Sequence, residues 1–360
     1  MENLLYSIGA AVIGLGLLIV FHEFGHFLLA KLSGVGVLTF SVGFGPKIWV
    51  VKRGETEYAL SAFPLGGYVK MVGEDPDEQV SPKDIERSFA HKSLMKRIAI
   101  VAAGPVFNLL LAVLLLMVVF TFYGVPVMST QVSGVEKGSP AEIAGIQKGD
   151  RIVEIDGVAI KEWEELSSRI KGSGGKPLNL RVRRGEEIIS VAVQPTQKEG
   201  RTIFGERKDD WIIGIGSQVT TEKGKPGLAI VRAFYQTFEY CRITLLAFYK
   251  MIVGDVSPRN IGGPILIAQM AGQQAQEGLG SFLAFLAVLS INLGVLNLLP
   301  VPVLDGGHLL FFFVEAVIRK PVEIKYREMA QQVGICLLAL LMVYAFYNDI
   351  VRFFEKQVGG

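Results

Sequence analysis

The sequence predicts a polytopic α-helical membrane protein with four transmembrane helices, a cytoplasmic loop of short β-strands and an inserted α+β domain. Three observations carry this. Half of the 360 residues are apolar and only 19% are charged, against about 25% charged in soluble domains. The apolar residues gather in four runs, 4–30, 98–125, 281–304 and 333–347. Two other stretches carry strand and turn patterning instead. A bilayer core needs about 20 apolar helical residues; three runs exceed that, and the fourth must borrow polar or aromatic flanks. The charge is nearly balanced, with 36 Lys+Arg against 34 Asp+Glu, which excludes a strongly basic nucleic-acid binder. Cys241 and Cys336 offer neither a disulfide framework nor metal-site spacing.

Taken in order, residues 1–30 form the first span. A secretory signal is excluded because no basic segment precedes the run, the run is too long and no small-residue cleavage site follows. Residues 31–97 form a loop in which Thr39 to Phe44, Ile48 to Arg53, Tyr58 to Phe63 and Tyr68 to Val72 read as short strands. Gly45-Pro46, Arg53-Gly54 and Gly66-Gly67 separate them. The second span, 98–125, contains a helix breaker, Pro105, and an amide, Asn108. Residues 126–200 read as a small domain. Gly149-Asp150 and Asp156-Gly157 bracket a short strand, Glu162 to Ile170 suits a helix, and Leu178 to Arg183 turns at Arg184-Gly185 into Ile188 to Val193. Residues 201–280 hold a linker and an amphipathic helix over Leu228 to Val253. Arg232, Glu239, Arg242 and Lys250 share one arc of it, which argues for a surface helix and against a fifth span. The third span is 281–308 and the fourth 333–350, with a connection at 309–332 and a tail at 351–360.

Lys and Arg in short loops set orientation. They cluster in 31–97, with Lys47, Lys52, Arg53, Lys70, Lys96 and Arg97 among them, and in 309–332, with Arg319, Lys320, Lys325 and Arg327. Both segments are therefore expected in the cytoplasm, with both termini and the 126–200 domain outside.

The informative residues are the polar ones inside the apolar runs. His22-Glu23-Phe24-Gly25-His26 is an H-E-x-x-H motif. Residues four apart lie on one helix face, so two imidazoles can bind one zinc, with Glu23 beside it as general base. An ionisable cluster at membrane depth is costly and marks a functional site. A catalytic zinc usually has three protein ligands and one open position. Asp305 and His308, which follow Pro300 and Pro302, are both acceptable as the third, and chemistry alone does not choose. Broken helix at membrane depth is tolerated where it lines a cavity. His22 lies about 13 Å before the cytoplasmic end of span one on helix rise, and span three brings Asp305 to the same side. The two motifs can therefore share a metal.

The run GSPAEIAGIQKGDRIVEIDG, Gly138 to Gly157, resembles the central signature of bacterial PDZ domains. H-E-F-G-H in the first span, N-L-L-P-V-P-V-L-D-G from Asn297 in the third, and that domain between spans two and three together resemble the site-2 protease family, in the regulator-of-sigma-E form with a single PDZ domain. The resemblance implies an intramembrane zinc metalloendopeptidase of the bacterial cytoplasmic (inner) membrane. It would cleave transmembrane segments, such as those of anti-sigma factors or remnant signal peptides, in regulated intramembrane proteolysis. It implies His22, His26 and Asp305 as ligands of Zn²⁺, Glu23 as catalytic base and Asn297 as substrate or transition-state support. Some relatives carry two tandem PDZ domains, so gating does not transfer from them. The 31–97 strands resemble the family's membrane-associated β-loop; an edge there, near Gly66 and Gly67, would hold an unwound substrate by strand pairing. Asn108 is expected to line the site. The lipid bilayer and a peptide ligand of the PDZ domain are the other expected partners.

Overall fold

The computed structural model describes residues 2–74, 80–201, 207–222 and 226–358. In chain order the elements are α1 (Glu2–Leu32), β1 (Val37–Arg53), β2 (Thr56–Met71), α2 (Leu94–Phe122), β3 (Val125–Val135), α3 (Pro140–Ile143), β4 (Arg151–Ile155), β5 (Val158–Ala159), α4 (Trp163–Gly172), β6 (Leu178–Arg184), β7 (Glu187–Val193), β8 (Thr196–Arg201), β9 (Arg207–Ile212), β10 (Ile215–Glu222), α5 (Pro226–Val253), α6 (Pro264–Glu277), α7 (Leu279–Leu298), α8 (Asp305–Ile318) and α9 (Ile324–Val358). They form two compact units. One comprises Met1–Val119, Pro226–Phe248 and Ser257–Gly360; the other comprises Phe120–Lys225 and Tyr249–Val256.

The first unit holds the apolar helices. Among the described residues, four helices are long and apolar enough to cross a membrane: Leu5–Leu32, Leu94–Phe122, Leu279–Leu298 and Ile324–Arg352. Departures from the sequence expectation concern their ends. The third span stops at Leu298 rather than 308. Leu299 is extended, with φ −65° and ψ 145°, because the ring of Pro300 excludes helix from the residue before it. The chain then restarts at Asp305 as α8, 14 residues long. That helix occupies the segment expected to be a simple connection; its apolar stretch is too short to span and so was not read as a helix. The fourth helix is much longer than 333–350. As expected of a single span, α2 continues through Pro105. A proline in a membrane helix costs one hydrogen bond, and neighbouring helices can compensate for it.

Small and polar residues fasten this unit. Gly272 of α6 lies against α1 so closely that a Cβ there would sit 1.9 Å from Ser7 Oγ, as expected where van der Waals contact replaces the hydrophobic effect. Ser290 of α7 donates to the Asn108 carbonyl at 2.7 Å. Asp349 of α9, almost fully buried, accepts from the N–H groups of Gly263, Ile265 and Leu266 at 2.9–3.0 Å and so caps α6.

Strands β1 and β2 pair with one another in three registers. One runs from Val37↔Met71 to Val42↔Gly67, a second from Lys47↔Ser61 to Arg53↔Thr56, and a third from Thr39↔Glu57 to Val42↔Leu60, with numbers rising together. Each strand therefore turns back on itself, and together they make the four short segments expected from the sequence.

The second unit is a sheet of order β10-β3-β4-β6-β7, with β5 beside β4 and α4 packed against the sheet core. Ile152, Ile155, Leu166, Leu180 and Val182 are fully buried there. The boundary expected at residue 200 is too early. Strand β10 pairs with β3, Gly216 opposite Gly134, so the domain reclaims residues assigned to the linker. Asp150, with its side chain 2% exposed, accepts from Arg184 Nε and Nη2, both at 2.8 Å, and from the Gln147 N–H. The helix expected over Leu228–Val253 is α5.

Candidate metal centre

His22 and His26 sit one turn apart on α1, their rings edge to face with centroids 4.8 Å apart. Each side chain is 12% exposed. The two Nε2 atoms are 3.2 Å apart. Asp305, the first residue of α8, brings Oδ2 to 3.2 Å from His22 Nε2 and Oδ1 to 3.5 Å from His26 Nε2. Among the described residues, His22, His26 and Asp305 form the cluster able to hold a metal, with ligand atoms within 4.8 Å of one another. His308, one turn further along α8, is not part of it.

The far side of each imidazole shows what its near side must be. His26 Nδ1 lies 2.9 Å from the carbonyl oxygen of Ile100. A carbonyl only accepts, so Nδ1 carries the proton and Nε2 presents a lone pair. His22 Nδ1 lies 3.3 Å from the amide of Asn108, whose Oδ1 is otherwise buried without a partner. Turning the amide over satisfies both groups: Oδ1 then accepts from Nδ1–H, and the second Nε2 is also left with a lone pair. Two nitrogen lone pairs and a carboxylate then converge. Asp305 Oδ2 is buried 3.2 Å from His22 Nε2. Such an arrangement repels itself unless a cation or a shared proton stands at its centre.

Two glycines make room. Helix α2 passes so close to the histidines that a Cβ on Gly104 would lie 2.2 Å from His26 Nε2. Gly67 of β2 approaches α1 so that its Cβ would lie 2.9 Å from Glu23 Cγ. This sets the strand directly beside the glutamate. Gly66, at φ +132°, turns the chain there, and a Cβ on it would strike the Phe44 ring. Asn297, near the end of α7, places Nδ2 3.5 Å from both ring nitrogens of His22. The structure thus brings His22, Glu23, His26, Gly67, Asn108, Asn297 and Asp305 together, while His308 stays outside the donor cluster. Sequence reasoning missed the Ile100 carbonyl and Gly104. The first has no side-chain signature; the second stands next to the proline of Gly104-Pro105, which drew attention to the wrong residue.

Residues 10–341 match the model of peptidase family M50. The chain belongs to that family. A protein of Rhizobium meliloti named as a zinc metalloprotease is 38% identical over 97% of this chain and 98% of its own length. Protease RseP of Yersinia pestis is 31% identical over 98% of this chain and all of its own. The regulator of sigma-E protease RseP of Salmonella typhimurium gives the same figures. A solved PDZ domain of an SdrC-like protein from Listeria monocytogenes is 28% identical, covering 27% of this chain and 90% of that one, with a TM-score of 0.19. This M50 member is an intramembrane zinc metalloprotease of the site-2 type and a multi-pass inner-membrane protein. The donor set fits its metal. Zinc–ligand bonds of about 2.0–2.1 Å at tetrahedral angles put ligand atoms about 3.3 Å apart; His22 Nε2 stands 3.2 Å from both His26 Nε2 and Asp305 Oδ2, and the three ligand atoms, one from each residue, lie within 4.8 Å of one another.

Proposed function

We propose that His22, His26 and Asp305 hold the zinc and that Glu23 is the general base for hydrolysis of a peptide bond within a transmembrane segment. The observation that carries this is the convergence of two Nε2 lone pairs and a buried carboxylate oxygen beside Glu23. Bound zinc supplies Lewis acidity at that point, together with a nucleophile available near neutral pH. Glu23 takes the proton of the attacking water and returns it to the leaving amine. Asn108 and the Ile100 carbonyl hold the imidazoles in the tautomer that leaves Nε2 free. Asn297 stands within reach of developing charge on the substrate carbonyl. Gly67 pairs with Val42 on one side, and its outer edge, beside Glu23, receives the unwound substrate as an added strand.

The substrates are membrane proteins of the anti-sigma-factor or remnant-signal-peptide kind. Both termini and the second unit lie outside the cytoplasm and the site faces the cytoplasmic leaflet, a reading supported by the basic residues of 31–97 and 309–332. The second unit acts as a PDZ domain. The Gly138–Gly157 run supports this, as does a cavity of about 300 Å³ between α4 and residues 211–216, lined by Trp163, Leu166, Ile170, Trp211 and Ile213. It receives an extended peptide against the β10 edge.

The test is Glu23→Gln in purified full-length protein. Zinc stoichiometry is expected to stay near wild type while cleavage of a model membrane substrate disappears. Cleavage at a near wild-type rate would overturn the assignment.

A further inference from the structure

Three charged residues far apart in sequence meet near one end of α2, α8 and α9. Arg97 is in the first turn of α2, Glu315 is two turns or more along α8, and Arg327 is in the first turn of α9. Arg97 and Glu315 are both mostly buried, with side chains 12% and 13% exposed. The guanidinium of Arg97 meets both carboxylate oxygens of Glu315, Nη1 to Oε2 at 3.2 Å and Nη2 to Oε1. This is the forked geometry only Arg supplies. The Arg97 guanidinium also lies 5.0 Å from the centroid of the Phe312 ring, one turn back on α8. Arg327 is peripheral: it is 26% exposed and its Nη2 stands 3.7 Å from Glu315 Oε2.

The two helices joined by this fork are the two that complete the metal centre around α1. On α2, one turn from Arg97, the Ile100 carbonyl fixes the His26 tautomer, and further along Asn108 meets His22. Helix α8 begins at Asp305 itself. Asp305 follows six residues, 299–304, that belong to no helix or strand, so the helix behind it must set its position. Rotation or sliding of α8 along α2 would carry Asp305 away from His22 and His26 together.

We infer that Arg97 and Glu315 are positioning residues: their bidentate pair pins α8 to α2 and thereby sets where Asp305 stands relative to the two histidines. The inference rests on the reading of His22, His26 and Asp305 as the zinc ligands. Groups that hydrogen-bond a ligand directly change metal affinity or activity by about 10–100-fold when lost, and a pin that acts through a helix is expected at the lower end of that range.

The experiment compares full-length Arg97→Lys, Glu315→Gln, the exchange Arg97→Glu with Glu315→Arg, and Arg327→Gln. Each is measured for zinc affinity, for the visible absorption of bound Co²⁺ and for kcat and KM. Arg97→Lys keeps the charge and loses the fork together with the planar contact on Phe312. It is expected to fold, to bind zinc about 10-fold more weakly, to alter the Co²⁺ spectrum, and to lower kcat with little change in KM. Glu315→Gln is expected to do the same, the exchange to recover much of the loss, and Arg327→Gln to stay within about two-fold of wild type. Should Glu315→Gln fail to fold, Arg97→Lys still decides. Zinc affinity and Co²⁺ spectrum unchanged in folded Arg97→Lys would overturn the inference, as would an equal loss in Arg327→Gln. His26→Ala separates the two readings. Zinc retained there at wild-type affinity sinks the ligand assignment. Zinc lost there but unaffected in Arg97→Lys sinks only the pin.

Discussion

His26 donates a hydrogen bond from Nδ1 to the carbonyl oxygen of Ile100 at 2.9 Å. A main-chain oxygen of α2 thus decides which nitrogen of an α1 side chain is left to face His22 and Asp305. Asn108 does the same for His22 from two turns further along α2. Asn108→Ala removes a replaceable partner, and the expected result is a zinc affinity weakened about 10-fold with the fold retained. Equilibrium competition with a zinc chelator measures it, and an unchanged affinity would remove Asn108 from the tautomer-setting role.

Gly104→Ala adds one methyl where none fits. Its Cβ would lie 2.2 Å from His26 Nε2 and 2.7 Å from His22 Cε1. Overpacking of this kind costs about 1–3 kcal/mol, and here the strain falls on the ligands. Loss of zinc should therefore exceed loss of thermal stability. Metal analysis beside a melting curve checks the order of the two effects; a variant that melts early yet holds zinc normally would contradict it.

Asp305→Asn and His308→Asn distinguish two residues on the same helix. Asp305 reaches both histidines, and His308 is outside the donor cluster. Metal content per protein should fall sharply for the first and stay near wild type for the second. The reverse pattern would reassign the third ligand.

In the second unit the Arg184 guanidinium holds the Asp150 carboxyl below the usual carboxylate range, and the Gln147 N–H adds to it. The folded-state value is therefore below the unfolded one. The pair contributes its full stability above about pH 4, the unfolded value, and loses it as the pH falls through the folded value. Amide exchange in β4 and β6 should accelerate relative to β1 and β2 as the pH drops below about 4. Arg184→Met should weaken that pH dependence and lower stability at neutral pH, since the Gln147 N–H alone remains to hold the charge. An acid response undiminished in Arg184→Met would assign it to another group.

How far the site was legible depended on the kind of atom involved. His22, Glu23 and His26 stood out because they are polar residues at helical spacing in an apolar run, and Asn108 for the same reason. Asp305 and His308 were equivalent on chemistry alone. The resemblance to a family favoured Asp305, and the structure brings that residue to both imidazoles. The Ile100 carbonyl left no trace, since every residue has a carbonyl and only packing selects one. The fold shows the same division. The β1–β2 segments follow from local turns. By contrast, β10 pairs with β3 across an inserted domain, a long-range choice that local alternation cannot announce. Helix α8 was hidden because its apolar stretch falls below the length that marks a span.

The three residues of the donor cluster come from opposite ends of the chain: His22 and His26 from α1, and Asp305 from α8. At synthesis rates of about 5–20 residues per second, the histidines precede Asp305 by roughly a quarter of a minute to a minute. Throughout that interval the nascent chain carries His22 and His26 without Asp305, and the three can meet only once translation has passed α1, α2 and α7 and reached α8.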